Sequence, residues 1–263
     1  GVQTCALPIF DFERELDQAT LDQLREMVRR RADGEPVQYV TGLAHFCGLE
    51  FQVDRRVLIP RPETELLVET VIEELRSALN TEPRTPTTLI DVGTGSGCIA
   101  VALAQRLPVA DICALDSSTD ALAVAAANAQ RHQVEKRIRF FQSDLLTDLP
   151  VSVRADGIVS NPPYIAEGEL ATLPKEVRDF EPVTALAAGE DGLKVYQRLA
   201  TTAGPVLKPT GWIALELGAG QRPAVQRLFE EQGFAVVRVV KDLQGHERVM
   251  VLRLGSVKVP MNE

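Results

Sequence analysis

The chain has 263 residues, 45% of them hydrophobic and 25% charged, which is ordinary for a globular protein with one large domain and a small addition. No stretch approaches the ~20 apolar residues that a membrane span needs, and the start of the chain lacks the basic and hydrophobic pairing of a signal peptide, so we expect a cytoplasmic protein. The net charge of −9 and the pI near 5.0 disfavour a nucleic-acid substrate, because phosphate binding usually requires a basic surface.

The cysteines and histidines give no indication of a metal site. The four cysteines contain no CxxC pair, and Cys98 and Cys113 lie in apolar runs, where buried thiols in a reducing compartment are expected. The three histidines are scattered along the chain and form no cluster of metal ligands. We therefore predict that the protein uses no metal.

The first nine residues, Gly1 to Ile9, resemble the translation of a sequencing adapter, and the chain does not begin with methionine. We expect this segment to be foreign to the fold and the native N-terminus to be missing. After it, residues 16–31 have the apolar spacing of a helix, and residues 35–60 are predicted to form short extended segments. A second helix is predicted over residues 64–79, with Thr64 as its N-cap.

From residue 88 the chain alternates short strands with helices, which predicts an α/β fold with a parallel, doubly wound sheet. A closing strand over residues 248–254 follows a tight turn at Gly245, so it is predicted to pair antiparallel with its predecessor. A sheet that closes with an antiparallel strand favours a methyltransferase over a dehydrogenase. The other predicted strands are 88–91, 111–115, 138–142, 157–160, 212–217 and 235–240, and the helices are 96–106, 118–130, 193–203 and 222–232.

A glycine-rich loop is the strongest local signal for a cofactor. Its sequence, Asp91-Val92-Gly93-Thr94-Gly95-Ser96-Gly97, ends a predicted strand and opens a helix, the context that such a loop requires. Glycines allow a sharp turn and a close approach of the backbone to a ligand. The GxGxG pattern alone also suits dinucleotide sites, whereas the phosphate loop of nucleotide hydrolases is absent from the sequence.

Acidic residues follow the next two predicted strands. Asp116 is placed to accept hydrogen bonds from ribose hydroxyls, and Asp144 to accept one from an adenine amino group. Each could instead be an ordinary turn or capping residue, and Ser117 or Ser118 could cap the helix after Asp116. Because all these positions lie at the carboxyl ends of successive parallel strands, where open sheets bind ligands, we predict a cofactor that contains adenosine.

The segment Asn161-Pro162-Pro163-Tyr164 follows the fourth strand of the alternation and is the candidate transfer site. The prolines remove two N–H donors and leave carbonyl oxygens without local partners. The Asn161 side-chain oxygen and the Pro162 carbonyl could bind both hydrogens of a planar amide or amine, and Tyr164 could pack on it. Because S-adenosylmethionine carries an activated methyl group, positioning can supply most of the acceleration. A rigid turn without function is the alternative.

From about residue 10 the chain resembles the HemK-like protein-(glutamine-N5) methyltransferases, which modify peptide chain release factors. The resemblance rests on the glycine loop, on residues 161–164 and on a series of further positions. These are Glu35, Pro36, Tyr39, Gly42, Phe46, Gly48, Leu58-Ile59-Pro60-Arg61-Pro62-Glu63-Thr64-Glu65, Glu181-Pro182, Gly189-Glu190-Asp191-Gly192-Leu193, Glu216, Asp242-Leu243 and Arg248-Val249.

The resemblance implies a Rossmann-like class I methyltransferase sheet over residues 65–263, a β-hairpin linker over 46–64 and a helical docking domain, of which 10–45 would be a remnant. It implies a monomer that methylates the glutamine of a Gly-Gly-Gln motif in class-one release factors. The implied cofactor contacts are Asp91, Gly93, Thr94, Gly95, Ser96, Gly97, Asp116, Asp144, Leu145 and Asn161. The implied substrate contacts are Asn161, Pro162, Pro163, Tyr164, Phe46, Arg61 and Pro62. With a shortened helical domain, docking of the release factor is expected to be weakened.

Three other functions remain open at this point. Adenine-N6 methylation of nucleic acid would also use residues 161–164, but it would require a basic channel that this acidic chain does not suggest. Glutamine methylation of a large-subunit ribosomal protein is the sister activity, and the segment from Arg61 to Glu65 is more similar to the release factor branch. A binding module with a vestigial site is the non-enzymatic alternative, which the presence of Asn161 and Asp116 disfavours.

Overall fold

The computed structural model describes residues 15–79 and 87–255 of the chain. Residues 1–9, which are predicted to be foreign, lie outside the described residues. Within the described ranges, no helix combines the length and the apolar character that crossing a membrane would require.

The N-terminal part consists of two helices and a hairpin, namely α1 (Gln18–Ala32), α2 (Val37–Thr41), β1 (Leu43–Phe46) and β2 (Leu49–Gln52). The first predicted helix is confirmed, but the prediction that residues 35–60 are only extended is wrong at α2. Pro36 precedes this short helix, and Gly42 ends it with a φ of 75°. A helix of five residues is too short to show a helical hydrophobic period, so the sequence pattern did not predict it.

Helix α3 (Pro62–Leu79) begins earlier than predicted. Proline is favoured at the first helical position, because no N–H donor is needed there. Thr64 therefore lies inside the first turn, where its N–H donates to the Arg61 carbonyl at 3.1 Å. Its hydroxyl bonds a residue of another element instead of capping α3, so the predicted role of Thr64 as N-cap is wrong.

Residues 87–255 form a seven-stranded sheet with helices on both faces. Its strands are β3 (Thr87–Val92), β4 (Ala110–Asp116), β5 (Ile138–Gln142), β6 (Ala155–Ser160), β7 (Leu207–Glu216), β8 (Phe234–Lys241) and β9 (Glu247–Leu254). The helices are α4 (Cys98–Arg106), α5 (Thr119–Arg131), α6 (Lys175–Arg178), α7 (Lys194–Ala203) and α8 (Arg222–Glu230). The strand order is β5-β4-β3-β6-β7-β9-β8, and β9 runs antiparallel to both of its neighbours. The predicted α/β fold with an antiparallel closing strand is confirmed.

Strand β7 starts earlier than the pattern predicted. Its first residues include Pro209 and Gly211, which are typical of turns, so the sequence indicated a strand only from Trp212 onward. In the structure Leu207 already pairs with Ala155, and the register shifts before Trp212 pairs with Gly157. The Trp212 ring covers Gly157, where a Cβ atom would lie only 2.4 Å from the ring.

The core lies in two layers, one on each face of the sheet. Alternate residues of β3 divide between them, so that Leu89 packs with the layer under α3, α4 and α5, while Ile90 packs with the layer under α7 and α8. Each fully buried side chain of this size stabilises the fold by about 1.5–3 kcal/mol. This double packing fixes the strand ends, and those ends carry the residues that were predicted to bind ligands.

Candidate active site

A cavity of about 760 Å³ opens at the carboxyl ends of β3, β4, β5 and β6. Seven of the predicted site residues line it, and they are Gly93, Gly95, Asp116, Asp144, Leu145, Asn161 and Pro163. Its opposite side is formed by the segment around Val183 and by the start of α7. A second cavity of about 490 Å³, between the hairpin and α5, contains none of the predicted site residues.

The glycine loop is held against the end of β4 by its own backbone. The N–H groups of Gly93 and Thr94 both donate to the Leu115 carbonyl, at 2.9 and 2.8 Å. Gly93 and Gly95 have φ angles of 74° and 54°, which glycine adopts without strain, and a Cβ atom at either position would meet no atom within 4 Å. Open space therefore lies above the loop, as a closely approaching ligand requires.

Gly97 has a different role from the other two glycines of the loop. A Cβ atom at Gly97 would lie 3.0 Å from the Ala125 Cβ on α5, so its small size lets the start of α4 pack against α5. Gly97 does not line the cavity, and neither do Asp91, Thr94 and Ser96. These four residues were predicted as cofactor contacts, and the structure does not bring them to the cavity surface.

Asp116 connects the loop to the next helix. Its Oδ2 accepts a hydrogen bond from the Gly95 N–H at 2.9 Å, and its Oδ1 accepts one from the Ser118 N–H at the same distance. Ser118, and not Asp116, is the N-cap of α5. Because each carboxylate oxygen has two acceptor positions, both oxygens can accept one further hydrogen bond from a ligand hydroxyl.

Asp91 is a buried acid beneath the loop. Its Oδ2 accepts a hydrogen bond from the Thr94 hydroxyl at 2.7 Å. Its Oδ1 has no hydrogen-bond partner among the described residues. The Ala100 N–H lies near the carboxylate and favours the charged form of Asp91. Burial raises the pKa of Asp91 to about 7, against those two favourable contacts. A buried acceptor without a partner is costly, so the fold carries Asp91 beneath the loop at some expense in stability.

Asp144 lies at the rim of the cavity and is paired with α7. Its two carboxylate oxygens bind the Arg198 guanidinium at 2.9 and 2.8 Å, and this contact lowers the pKa of Asp144. Leu145 has a φ of 58°, and the Ser143 hydroxyl donates to its carbonyl. Arg198 was not predicted as a site residue, because 54 residues of sequence separate it from Asp144.

Asn161 is held by a chain of side chains from three elements. Its Nδ2 donates to the Thr64 hydroxyl oxygen at 3.0 Å, and that hydroxyl donates to Glu216 Oε2 at 2.7 Å. The Asn161 Oδ1 accepts no hydrogen bond from the described residues, and neither does the Pro162 carbonyl. Both acceptors lack a partner among the described residues, Asn161 lines the cavity and Pro162 does not, and their binding of a ligand stays a prediction. Thr64 and Glu216 matched the resemblance, but no role at the site was predicted for them.

Pro162 is buried, and Tyr164 is partly exposed but does not line the cavity. The Tyr164 carbonyl accepts a hydrogen bond from Gln221 Nε2 at 2.9 Å, which anchors the end of the segment. Burial raises the pKa of the Tyr164 hydroxyl, and the charge of Glu216 adds to the shift.

The three predicted substrate contacts outside residues 161–164 do not line the cavity. Phe46 is 1% exposed and packs edge-on against Phe51, so the structure gives its side chain a place in the core, and its contact with a substrate stays a prediction. Arg61 binds the buried Glu181, whose other oxygen accepts a hydrogen bond from the Ile59 N–H. Pro62 is exposed at the start of α3. Within the described residues, no cluster of histidine, cysteine and acidic side chains could hold a metal ion.

Two family models match the chain. Residues 64–176 match the methyltransferase small domain, and residues 9–42 match the PrmC N-terminal domain. Among curated relatives, the release factor glutamine methyltransferase of Chlorobaculum tepidum is 45% identical over 251 residues, which cover 94% of this chain and 84% of that protein. The release factor glutamine methyltransferase of Geobacter sulfurreducens is 42% identical over 245 residues, covering 93% and 82%.

Solved structures of other methyltransferases share the fold. A methyltransferase from Pyrococcus furiosus aligns with a TM-score of 0.57 at 15% identity, over 90% of this chain and all of that one. The 16S rRNA N2 G1207 methyltransferase of Thermus thermophilus, in complex with AdoMet and guanosine, aligns with a TM-score of 0.56 at 18% identity, over 81% and 50%. At these identities the similarity concerns the fold alone.

Proposed function

Since the chain belongs to the family of release factor glutamine methyltransferases, we propose that it methylates a glutamine side chain of a peptide chain release factor. The methyl group comes from S-adenosylmethionine and is transferred to the amide nitrogen, N5. The glutamine is that of the Gly-Gly-Gln motif. A release factor as partner supports a reaction in the cytoplasm, and we expect the enzyme to act as a monomer.

The observation that carries this proposal is the unpaired Asn161 Oδ1 beside the glycine loop. Asn161 lines the same cavity as Gly93, Gly95 and Asp116, so one space joins an adenosine-type site to an acceptor for N–H groups. The nearby Pro162 carbonyl is a second acceptor without a partner among the described residues. Two acceptors match the two hydrogens of a primary amide, which has no charge for a strong ion pair.

The residues of the cavity fit S-adenosylmethionine. The open space above Gly93 and Gly95 admits a ligand close to the backbone, and Asp116 has acceptor positions left for ribose hydroxyls. Asp144 and Leu145 line the part of the cavity where an adenine ring would be recognised. When bound, S-adenosylmethionine supplies a methyl group on a positively charged sulfur, which is already activated for transfer.

The protein's contribution to the chemistry is orientation. An amide nitrogen is a poor nucleophile, because its lone pair is delocalised into the carbonyl group. The Asn161 Oδ1 and the Pro162 carbonyl hold its two hydrogens, and this fixes the direction in which the nitrogen faces. Hydrogen bonds to these acceptors also stabilise the positive charge that develops on the nitrogen during transfer. The methyl–sulfur bond breaks as the methyl–nitrogen bond forms, which leaves S-adenosylhomocysteine, and the nitrogen then releases one of its two protons to give a neutral N-methyl amide.

Mass spectrometry of a purified release factor tests the proposal. Incubation with the enzyme and S-adenosylmethionine is expected to add one methyl group to the glutamine of the Gly-Gly-Gln peptide, and a release factor with that glutamine changed to alanine is the control. Methylation of ribosomal protein or of an adenine oligonucleotide instead, under the same conditions, would contradict the release factor as substrate.

A further inference from the structure

We propose that Thr64 and Glu216 are positioning residues that fix the orientation of the Asn161 side-chain amide. Through them, the amide presents its oxygen and not its nitrogen to the methyl acceptor. This inference rests on the proposed function, because it specifies how the same site selects an N–H group as its substrate.

The three residues come together from distant parts of the chain. Asn161 follows β6, Thr64 lies in the first turn of α3 and Glu216 ends β7. The hydrogen bond from Asn161 to Thr64 measures 3.0 Å, and that from Thr64 to Glu216 measures 2.7 Å. Thr64 and Glu216 are each 2% exposed, so water does not compete for these contacts.

The direction of each hydrogen bond follows from the charge at the far end. An ionised carboxylate only accepts hydrogen bonds, so the single hydroxyl hydrogen of Thr64 must point to Glu216. The Thr64 oxygen can then only accept, and a side-chain amide that contacts it must offer its NH₂ group. The Asn161 Oδ1 is left facing the cavity as an acceptor. The two residues behind Asn161 thereby determine which atom meets the substrate.

Protonation of Glu216 removes this constraint. A neutral carboxyl group can donate to Thr64, whose hydroxyl hydrogen can then bind the Asn161 oxygen and turn the amide around. A reversed amide would present two N–H donors to a substrate that also offers N–H donors, and binding in the reactive orientation would fail. Methyl transfer therefore requires the ionised form of Glu216.

The surroundings of Glu216 bring its protonation into a pH range in which reaction rates can be measured. Burial raises the pKa of Glu216 to about 7, and the hydrogen bond from Thr64 and the charge of Arg248 oppose that shift. Glu63 and Arg61, near the start of α3, also act on the pKa of Glu216, the first raising it and the second lowering it. Tyr164 after β6 and Tyr196 on α7 lie near enough that the charge of Glu216 raises their pKa values. Because the ionised form is the active one, the rate should fall as the pH falls through about 7.

The substitution Thr64→Val tests the chain of hydrogen bonds. Valine has the same shape and no hydroxyl, so Asn161 loses the acceptor that sets its orientation. We expect kcat for glutamine methylation to fall by roughly 10- to 100-fold, with the Kd for S-adenosylmethionine unchanged, and Thr64→Ser to restore most of the activity. Equal kcat values for the wild type and Thr64→Val would overturn the proposal.

Thr70→Val is the matched control. Thr70 lies on the same helix and is 1% exposed, but its hydroxyl donates to the Leu66 carbonyl of α3 itself. If both valine variants lost kcat to the same extent, the loss would reflect packing of α3 and the positioning role would be refuted. We expect only the Thr64 variant to lose activity.

The substitution Glu216→Gln tests the role of charge. Glutamine keeps the size of the side chain but can donate to Thr64 at every pH, as protonated Glu216 does. We expect a reduced kcat at about pH 8 and the loss of the fall in rate near pH 7 that the wild type shows. Since Asp91 has a pKa in the same range, the rates are measured at saturating S-adenosylmethionine. An unchanged acid limb in Glu216→Gln would refute the positioning role.

The same series separates this inference from the proposed function. Absence of turnover by the wild type on release factor glutamine would refute the proposed function. Turnover by the wild type that Thr64→Val and Glu216→Gln leave unchanged would refute the positioning role alone.

Discussion

The two halves of the cavity are built in different ways. The cofactor half, residues 91–97 with Asp116, is held by backbone N–H groups, and its contact between Gly95 and Asp116 spans 21 residues. The transfer half, residues 161–164 with Thr64 and Glu216, is held by side chains that are 97 and 152 residues apart in the sequence. One half follows from local chain geometry, and the other exists only when α3, β6 and β7 are packed together.

This difference determines what a substitution should do in each half. When one side chain is removed from a loop that is held by backbone hydrogen bonds, the hydrogen bonds of that side chain are lost and the others remain. In the transfer half, the side-chain acceptor offered to the substrate, the Asn161 Oδ1, depends on the Thr64 and Glu216 side chains behind it. The cofactor half should therefore respond to substitution by graded losses of affinity, whereas the transfer half should lose turnover and keep its affinity for the cofactor.

The largest effect is expected from Asn161→Ala, which removes the acceptor itself. We expect kcat to fall by roughly 10²- to 10³-fold, because an oriented polar contact in the transition state is lost. Isothermal titration calorimetry should show a nearly unchanged Kd for S-adenosylmethionine, since the glycine loop and Asp116 are intact. A parallel loss of cofactor affinity and turnover would contradict the division of the cavity into two halves.

A smaller effect is expected from Asp116→Ala, which acts on the cofactor half. The substitution removes acceptors for ribose hydroxyls and also frees the Gly95 and Ser118 N–H groups. We expect binding to weaken by about 1.5–3 kcal/mol, or roughly 10- to 150-fold in Kd. Asp111→Ala is the matched control, because Asp111 is exposed on the same strand, away from the carboxyl edge. An unchanged Kd for Asp116→Ala, measured by calorimetry, would contradict the ribose assignment.

The contrast between the halves also explains what could be predicted from the sequence. The glycine loop was predictable because glycines between a strand and a helix determine the local backbone. The alternation of short strands with helices likewise predicted the parallel sheet, and the tight turn at Gly245 predicted its antiparallel closing strand; the strand pairings confirm both. Each of these features depends on residues that are close in sequence.

Features that depend on distant contacts were missed or misassigned. Thr64 was predicted to cap a helix, because the chemistry of a threonine before an apolar run is the same whether or not Glu216 lies beside it. The resemblance assigned Phe46 to the substrate, and its burial, which follows from packing in the hairpin, was not predicted. The pairing of Arg198 with Asp144 arises only when α7 packs beside the end of β5. Local sequence patterns carry no information about such contacts between residues that are distant in the sequence.

The smallest effect is expected from Arg198→Ala, which tests whether the cofactor half contains a long-range contact of its own. Arg198 holds both oxygens of Asp144 at the rim, and Asp144 is predicted to accept a hydrogen bond from the adenine amino group. Without Arg198 the carboxylate can rotate freely, and its pKa should return toward the ordinary value. Because the pair is exposed to solvent, we expect the affinity for S-adenosylmethionine to fall only about 2- to 5-fold.

Adenine recognition can be isolated by comparing two ligands that differ only in the base. S-adenosylhomocysteine carries the amino group, and S-inosylhomocysteine has a carbonyl oxygen in its place, so Asp144 should favour the first. We expect Arg198→Ala to narrow the ratio of their Kd values, while Gln197→Ala, at an exposed neighbouring position on α7, should leave it unchanged. If Arg198→Ala leaves the ratio of the two Kd values unaltered, the orientation of Asp144 does not contribute to recognition of the adenine base. Adenine recognition would then depend only on groups that are local to the strand ends, as in the rest of the cofactor half.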